Sequence, residues 1–210
     1  MPFRLPLLLA LLAVAAAPLS GCDSDGTDEA ETFTVQLRPL NDSGVSGTAT
    51  VRVGDDGAFT VALDATGLDA TGHPQHIHGS AMAVASCPSA AADANGDGFV
   101  DVMEGAPSYG GILLPLDDDI SNQTPNAPGF PQGTSISYSA STTFAQVRQL
   151  LERDDPNADD PIMTLGAGAS VDLGDYAIVV HGTTRTLPGT VGTIPGLPNT
   201  ATLPVACGTL

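Results

Sequence analysis

Residues 48–63 read Thr48-Ala49-Thr50-Val51-Arg52-Val53-Gly54-Asp55-Asp56-Gly57-Ala58-Phe59-Thr60-Val61-Ala62-Leu63, and this stretch decides the fold class. Ala49, Val51 and Val53 alternate with polar neighbours, as do Phe59, Val61 and Leu63 after them. Side chains on a strand leave opposite faces in turn, so each run predicts a strand with one buried face. Gly54-Asp55-Asp56-Gly57 between them is turn chemistry, and the unit is a hairpin. Upstream, Phe33, Val35 and Leu37 alternate with Thr34, Gln36 and Arg38 across 33–40, a third strand. Two hairpins this early predict an antiparallel all-β domain. Further strands are expected at 75–78, 111–116, 134–138, 176–181 and 200–207. One segment, 142–153, carries Phe144, Val147, Leu150 and Leu151 at helical spacing, with Ser141 or Thr142 as its N-cap. It lies between strands and reads as a helical insertion. Residues 116–132 and 153–161 are loops rich in Asp, Asn and Pro, and there is no internal repeat.

The composition agrees. The chain has 210 residues, enough for one domain with a core. Gly and Pro are plentiful and Trp is absent, which favours strands and loops over helices. Six basic residues, all Arg, stand against 24 acidic ones, for a net charge of −18. That charge excludes nucleic acid and an anionic membrane surface as electrostatic partners and repels anionic substrates. It reads either as a solvated surface suited to salt or, in one cluster, as a collector of cations.

Arg4 precedes an apolar run over 5–17, too short to span a bilayer and of the length of a signal core. It leads into Leu19-Ser20-Gly21-Cys22, which resembles the bacterial lipobox. The resemblance implies removal of 1–21 and acylation of Cys22. The expected organisation is a signal peptide over 1–21, a flexible tether over 22–32 and a β-domain over 33–210. Acyl chains would hold the protein on a membrane on the periplasmic or cell-surface side of the bacterial envelope. Acylation of Cys22 leaves Cys87 and Cys207, and a remaining pair in an exported chain favours a disulfide.

Residues 93–104 read Asp93-Ala94-Asn95-Gly96-Asp97-Gly98-Phe99-Val100-Asp101-Val102-Met103-Glu104. This follows the grammar of the twelve-residue calcium loop of EF-hands. Asp93, Asn95 and Asp97 offer side-chain oxygens, Gly98 permits the sharp turn, and Phe99 offers its carbonyl. Asp101 takes the ninth position and Glu104 closes the loop as a bidentate ligand. The expected ion is Ca²⁺; the alternative is an acidic turn without one. Cys87-Pro88 lies just upstream and no second loop of this kind exists. The loop therefore reads as a single structural clamp inside a β-domain, not as a sensor pair.

The chain has four histidines, and three fall in His73-Pro74-Gln75-His76-Ile77-His78. His76 and His78 stand two residues apart, so on a strand both leave the same face and can share a metal. His73 has the opposite parity and is expected to point inward. His181 ends the apolar run Ala177-Ile178-Val179-Val180.

These motifs, in this order, resemble the copper/zinc superoxide dismutases and the related chordin-type (CHRD) domains over most of the mature chain. Gly67-Leu68 precedes the histidine cluster as in that family. The H-x-x-H-x-H pattern falls on His73, His76 and His78, and Cys87 follows at the loop-cysteine position. Val179-Val180-His181-Gly182 and Val205-Ala206-Cys207-Gly208 resemble its last copper-ligand strand and its C-terminal strand. The resemblance implies a Greek-key, immunoglobulin-like β-sandwich with long loops. It places copper at His76, His78 and His181, a structural role on His73, and a bridge between Cys87 and Cys207. Three imidazoles suit copper or zinc on their own chemistry as well. The other reading is that they serve hydrogen bonding in a fold that has lost its metal.

Two departures bear on activity. No histidine remains to bridge to a zinc site, and the calcium-type loop occupies that region. Pro204 stands where the family places an anion-guiding arginine. Three functions are open on the sequence. One is a calcium-stabilised binding or structural lipoprotein without efficient dismutation. The second is a copper enzyme acting on superoxide, and the third a copper-carrying or adhesive domain. There is no nucleophile–base constellation for hydrolysis, and nothing identifies a protein partner.

Overall fold

Strand β1 (Glu31–Pro39) pairs antiparallel with β2 (Ser46–Val53), and β2 with β3 (Ala58–Thr66), as the alternation predicts. The structure is a computed structural model that describes residues 30–154 and 162–210. The signal peptide, Cys22 and most of the tether lie outside the described residues. Among the described residues, no helix is long and apolar enough to cross a membrane.

The remaining strands are β4 (Gln75–Gly79), β5 (Gly111–Pro115), β6 (Ser135–Thr143), β7 (Ala177–His181) and β8 (Pro204–Thr209). All pairings are antiparallel, in the order β5-β4-β7-β8-β1-β2-β3-β6. Two four-stranded sheets meet where Arg38 and Pro39, at the end of β1, pair with Cys207 and Ala206 of β8. The chain passes from β3 to β4, back to β6 beside β3, and over again to β7 beside β4. These crossings make a Greek-key β-sandwich, the architecture that the family resemblance implies.

The core explains the alternation. Val35, Val51, Val61 and Leu63 of one sheet and Ile77, Ile178, Val180 and Val205 of the other belong to one buried cluster. Each such side chain contributes about 1.5–3 kcal/mol when fully buried. β4 and β7 are buried along their whole length, because loops cover their outer face as well. Ala177, Val179 and Cys207 face that way, in a second cluster with Ala85 and Tyr109.

The expected helix is α2 (Phe144–Leu151), and it buries Phe144, Val147, Leu150 and Leu151. Its N-cap is Thr143, whose hydroxyl accepts from the Gln146 amide at 3.1 Å, and not Ser141 or Thr142. Both of those still pair with β3, Ser141 with Thr60 and Thr142 with Phe59. The expected strand over 200–207 starts only at Pro204, because Asn199–Thr202 forms a helical turn, α3. A further helix, α1 (Val102–Tyr109), begins inside the calcium-type loop. Cys87 and Cys207 are disulfide-bonded with Cα atoms 5.7 Å apart, which ties the loop before α1 to the outer face of β8. Such a bond indicates an oxidising compartment.

Candidate metal centre

β4 and β7 are neighbours, with His76 opposite Val179 and His78 opposite Ala177. Paired residues share a face, so His76, His78 and, two residues beyond Val179, His181 all project from the outer face of the second sheet. A register shift between Val180 and His181 lets His181 pair with Pro204. The three rings form a near-equilateral triangle, with centroids 5.3, 5.5 and 5.7 Å apart. One nitrogen from each lies within 4.8 Å of the other two. Among the described residues, this is the group of His, Cys, Asp or Glu donors that converges so.

The hydrogen bonds select which nitrogens converge. His78 Nδ1 lies 3.1 Å from the Gly110 carbonyl, and His181 Nδ1 lies 2.7 Å from that of Thr202. A carbonyl only accepts, so both Nδ1 atoms carry the proton and both Nε2 atoms keep a lone pair. Those Nε2 atoms, with Nδ1 of His76, are buried and have no hydrogen-bond partner. Buried polar atoms are rarely left so, and each costs about 1–3 kcal/mol when unsatisfied. Three such atoms aimed at one another fit a cation, and imidazole donors fit copper or zinc. The outer carbonyls fix ring orientation, the usual partner of a ligating histidine.

Electrostatics keep the rings neutral. Burial, and then the neighbouring His181, hold His78 down to about 3, against the upward pull of its bond to Gly110. Burial likewise brings His181 to about 4. His76 lies well below its ordinary value through burial first, then through His181 and His78. Neutral imidazole is the ligating form.

His73 stands apart, though it precedes β4 and strand parity does not set its direction. It is fully buried, with Nδ1 3.0 Å from the carbonyl of His181 and Nε2 2.9 and 3.0 Å from those of Asp69 and Gly133. It ties the end of β7 to two loops and offers no nitrogen to the triangle. Sequence reading missed the residues that frame the rings. Tyr109 stacks edge-on against His78 at 4.7 Å and Phe130 against His76 at 5.5 Å. A Cβ on Gly105 would lie 2.5 Å from the Tyr109 ring, so this turn of α1 needs glycine. Aromatics are few here, and that scarcity was the available signal.

The loop 93–104 folds differently from the histidine site. Asp93 accepts the amides of Gly96 and Asp97 on one oxygen and that of Gly98 on the other. Asn95 accepts from Asp97, and Asp97 from Phe99 and from the Thr190 hydroxyl. Gly96 and Gly98 take positive φ, of 72° and 89°. Glu104 accepts from Ala94, Asn95 and Asp101, while Asp101 accepts from Met103 and Glu104, a reciprocal capping box at the start of α1. Phe99 packs under the Arg185 guanidinium at 4.9 Å. The side-chain oxygens of Asp93, Asn95, Asp97, Asp101 and Glu104 are thus taken up by the loop's own amides and by Thr190 and Gly192, and among the described residues its carboxylates do not converge as the three histidines do.

Above the three rings opens a cavity of about 480 Å³. Val102 of α1, Ile112 of β5, Phe130, Ile162, Ile194 and Leu197 are among its walls. None of its sixteen lining residues is an Arg, Lys, Asp or Glu.

No family model and no curated protein matches this chain. Among solved structures it is similar to a SOD-like protein from Bacillus subtilis. The identity is 13%, over 84% of this chain and 97% of that one, with a TM-score of 0.37. It is similar also to a proline-to-histidine mutant of a SOD-like protein from the same organism. There the identity is 15%, over 84% and 96%, with a TM-score of 0.41.

Proposed function

We propose that this chain is an extracytoplasmic, superoxide dismutase-like (CHRD-like) domain that binds copper through His76, His78 and His181 and is a poor dismutase. The observation that carries the reading is the convergence of three buried, unpartnered imidazole nitrogens. Bound copper would supply one-electron redox chemistry. The chain's own residues hold the ligands: Gly110 and Thr202 fix two tautomers, His73 anchors the end of β7, and the cavity walls limit water. Poor dismutation follows from what approaches the site. Pro204 lies opposite His181 in place of a cation, the fourth imidazole, His73, is bonded elsewhere and gives no bridge, and a charge of −18 repels anions.

The test is copper titration of the metal-free mature protein, followed by electron paramagnetic resonance. Wild type should take one equivalent with nitrogen couplings, and His78→Ala should lose it. Equal uptake by both would sink the site. Superoxide consumption by the loaded protein should fall far below the diffusion ceiling of about 10⁸–10⁹ M⁻¹s⁻¹.

Two further parts of the reading rest on sequence. Cys22 anchors the protein by acylation, supported by the lipobox-like tetrad, and Cys22→Ser should release it from membranes. Loop 93–104 holds Ca²⁺ through Asp93, Asn95, Asp97, the Phe99 carbonyl, Asp101 and Glu104, supported by the order of residue types and by the two glycine turns.

A further inference from the structure

We propose that the cavity above the three histidines is a binding site for a neutral, largely apolar small molecule carrying one nitrogen or oxygen donor. The donor end rests on the copper reading above; the apolar selectivity rests on the cavity alone.

The walls argue first by what they exclude. The chain carries 24 acidic and six basic residues, yet no formally charged residue lines the cavity. In the metal-free protein an anion would meet no compensating charge and a strongly negative molecule around it; a bound copper would be the one positive charge there, and the walls would add none. A cation would meet no carboxylate. The nearby Asp101 is 3% exposed and bonded through both oxygens, to Met103 and Glu104 on one and to the Gly192 amide at 2.5 Å on the other. A neutral ligand remains. The walls then argue by what they offer. Val102, Ile112, Phe130 and Ile162 are buried apolar side chains, and Ile194 and Leu197 continue the apolar wall. The volume falls in the range of small-molecule sites, about 300–1,000 Å³.

The walls are also built. Asp101 holds Gly192, Asp97 holds Thr190, and the Thr193 and Thr202 hydroxyls meet at 2.9 Å. These bonds fix the segment carrying Ile194 and Leu197 against α1, which carries Val102. At the inner end lie His76, His78 and His181. A ligand that fills the apolar walls therefore places one end at the three nitrogens, where a lone pair can reach a metal and a second charge has no partner.

Two probes separate the halves. The first is N-phenyl-1-naphthylamine, a neutral apolar fluorophore, added to the metal-free protein. Saturable binding is expected, weakened about tenfold or more by Leu197→Arg, a half-exposed position that can take a long side chain. The second is 4-phenylimidazole against imidazole and azide on the copper-loaded protein, read by visible and paramagnetic resonance spectra. The phenyl group should tighten binding about tenfold or more over imidazole. Azide should bind weakly and should gain on Leu197→Arg. No fluorophore binding, or binding indifferent to Leu197→Arg, overturns the inference even if copper binds. No phenyl advantage, or azide the tightest ligand, overturns it as well. Fluorophore binding in a protein that takes no copper leaves the apolar site standing and removes the copper reading.

Discussion

The histidine triangle and the acidic loop are both dense in metal-type donors, and they differ in where those donors' lone pairs go. In the triangle, backbone carbonyls hold the outer nitrogens of His78 and His181, and the inner nitrogens of all three rings have no partner. In the loop, every carboxylate accepts amides of its own turn. A loop satisfied in this way folds by its own hydrogen bonds, so its shape alone does not demand an ion. Three buried nitrogens without partners do ask for one, because leaving them bare costs about 1–3 kcal/mol each. The difference teaches that unsatisfied donors, more than donor number, mark a metal site. The two regions are also joined: Asp101 and Asp97 of the loop hold the 190–192 segment beside the cavity, and Cys87–Cys207 holds the loop to the histidine face.

The largest effect expected is on that joint. Cys207→Ser opens a bridge between residues 120 apart. Chain-entropy models put the loss at about 4–5 kcal/mol for a loop of this size. Denaturant unfolding of exported protein checks it. A loss under about 1 kcal/mol would mean that the loop keeps its seat without the bond, and the two regions are less joined than the geometry says.

The next prediction sharpens the contrast through pH. In metal-free protein the buried histidines are held below their ordinary value of 6.5, His78 near 3 and His181 near 4. Above about pH 6.5 these rings are neutral whether folded or unfolded, and their stability contribution is fully present. As pH falls below 6.5 the unfolded chain binds protons that the folded rings refuse, so stability drops until the folded values are reached. Each such proton contributes at most about 1.4 kcal/mol per pH unit. His78→Ala should therefore flatten the fall between pH 6.5 and 5 by up to that amount per unit. Identical slopes in wild type and variant, from denaturation curves across that window, would show that burial does not suppress the charge.

Much of the fold was legible because alternation in β1 to β3 and the turn at 54–57 each report a local rule, and the register follows from them. The triangle was legible from parity for His76 and His78, since a strand has period two. His181 needed the family resemblance, because a residue a hundred positions away joins only through pairing of β4 with β7. The cavity was not legible. Its walls come from loops, α1 and β5, and nothing local in Ile194 or Leu197 says that they face Val102. Nor was the start of α1: the grammar of 93–104 gives Asp101 and Glu104 as ion ligands, and the same two residues also make a helix cap. One spacing serves two rules, and the sequence does not choose between them.

The smallest effect expected separates those two rules. Glu104→Gln keeps a side-chain oxygen that can accept the Asp101 amide, since Gln serves in a capping box as Glu does, and the Ala94 and Asn95 amides that lose their acceptor are exposed to water. Without calcium the substitution should cost at most about 1 kcal/mol, the ordinary scale of a cap. It removes one anionic oxygen of the proposed bidentate calcium ligand, however, and a loss of calcium binding shows only when the ion is added. An ion that binds the native state alone adds about 2.7 kcal/mol at one hundred times its dissociation constant. Wild-type melting temperature should therefore rise on adding Ca²⁺ and fall on chelation, whereas Glu104→Gln should melt almost as the chelated wild type does, with or without the ion. Copper uptake should be unchanged in the variant, because Glu104 lies in the loop and does not line the cavity. If calcium moves neither protein, the loop is a helix cap in an acidic turn and the triangle is the metal site of the two. If it moves both equally, the ion binds elsewhere, and the grammar of 93–104 is coincidence.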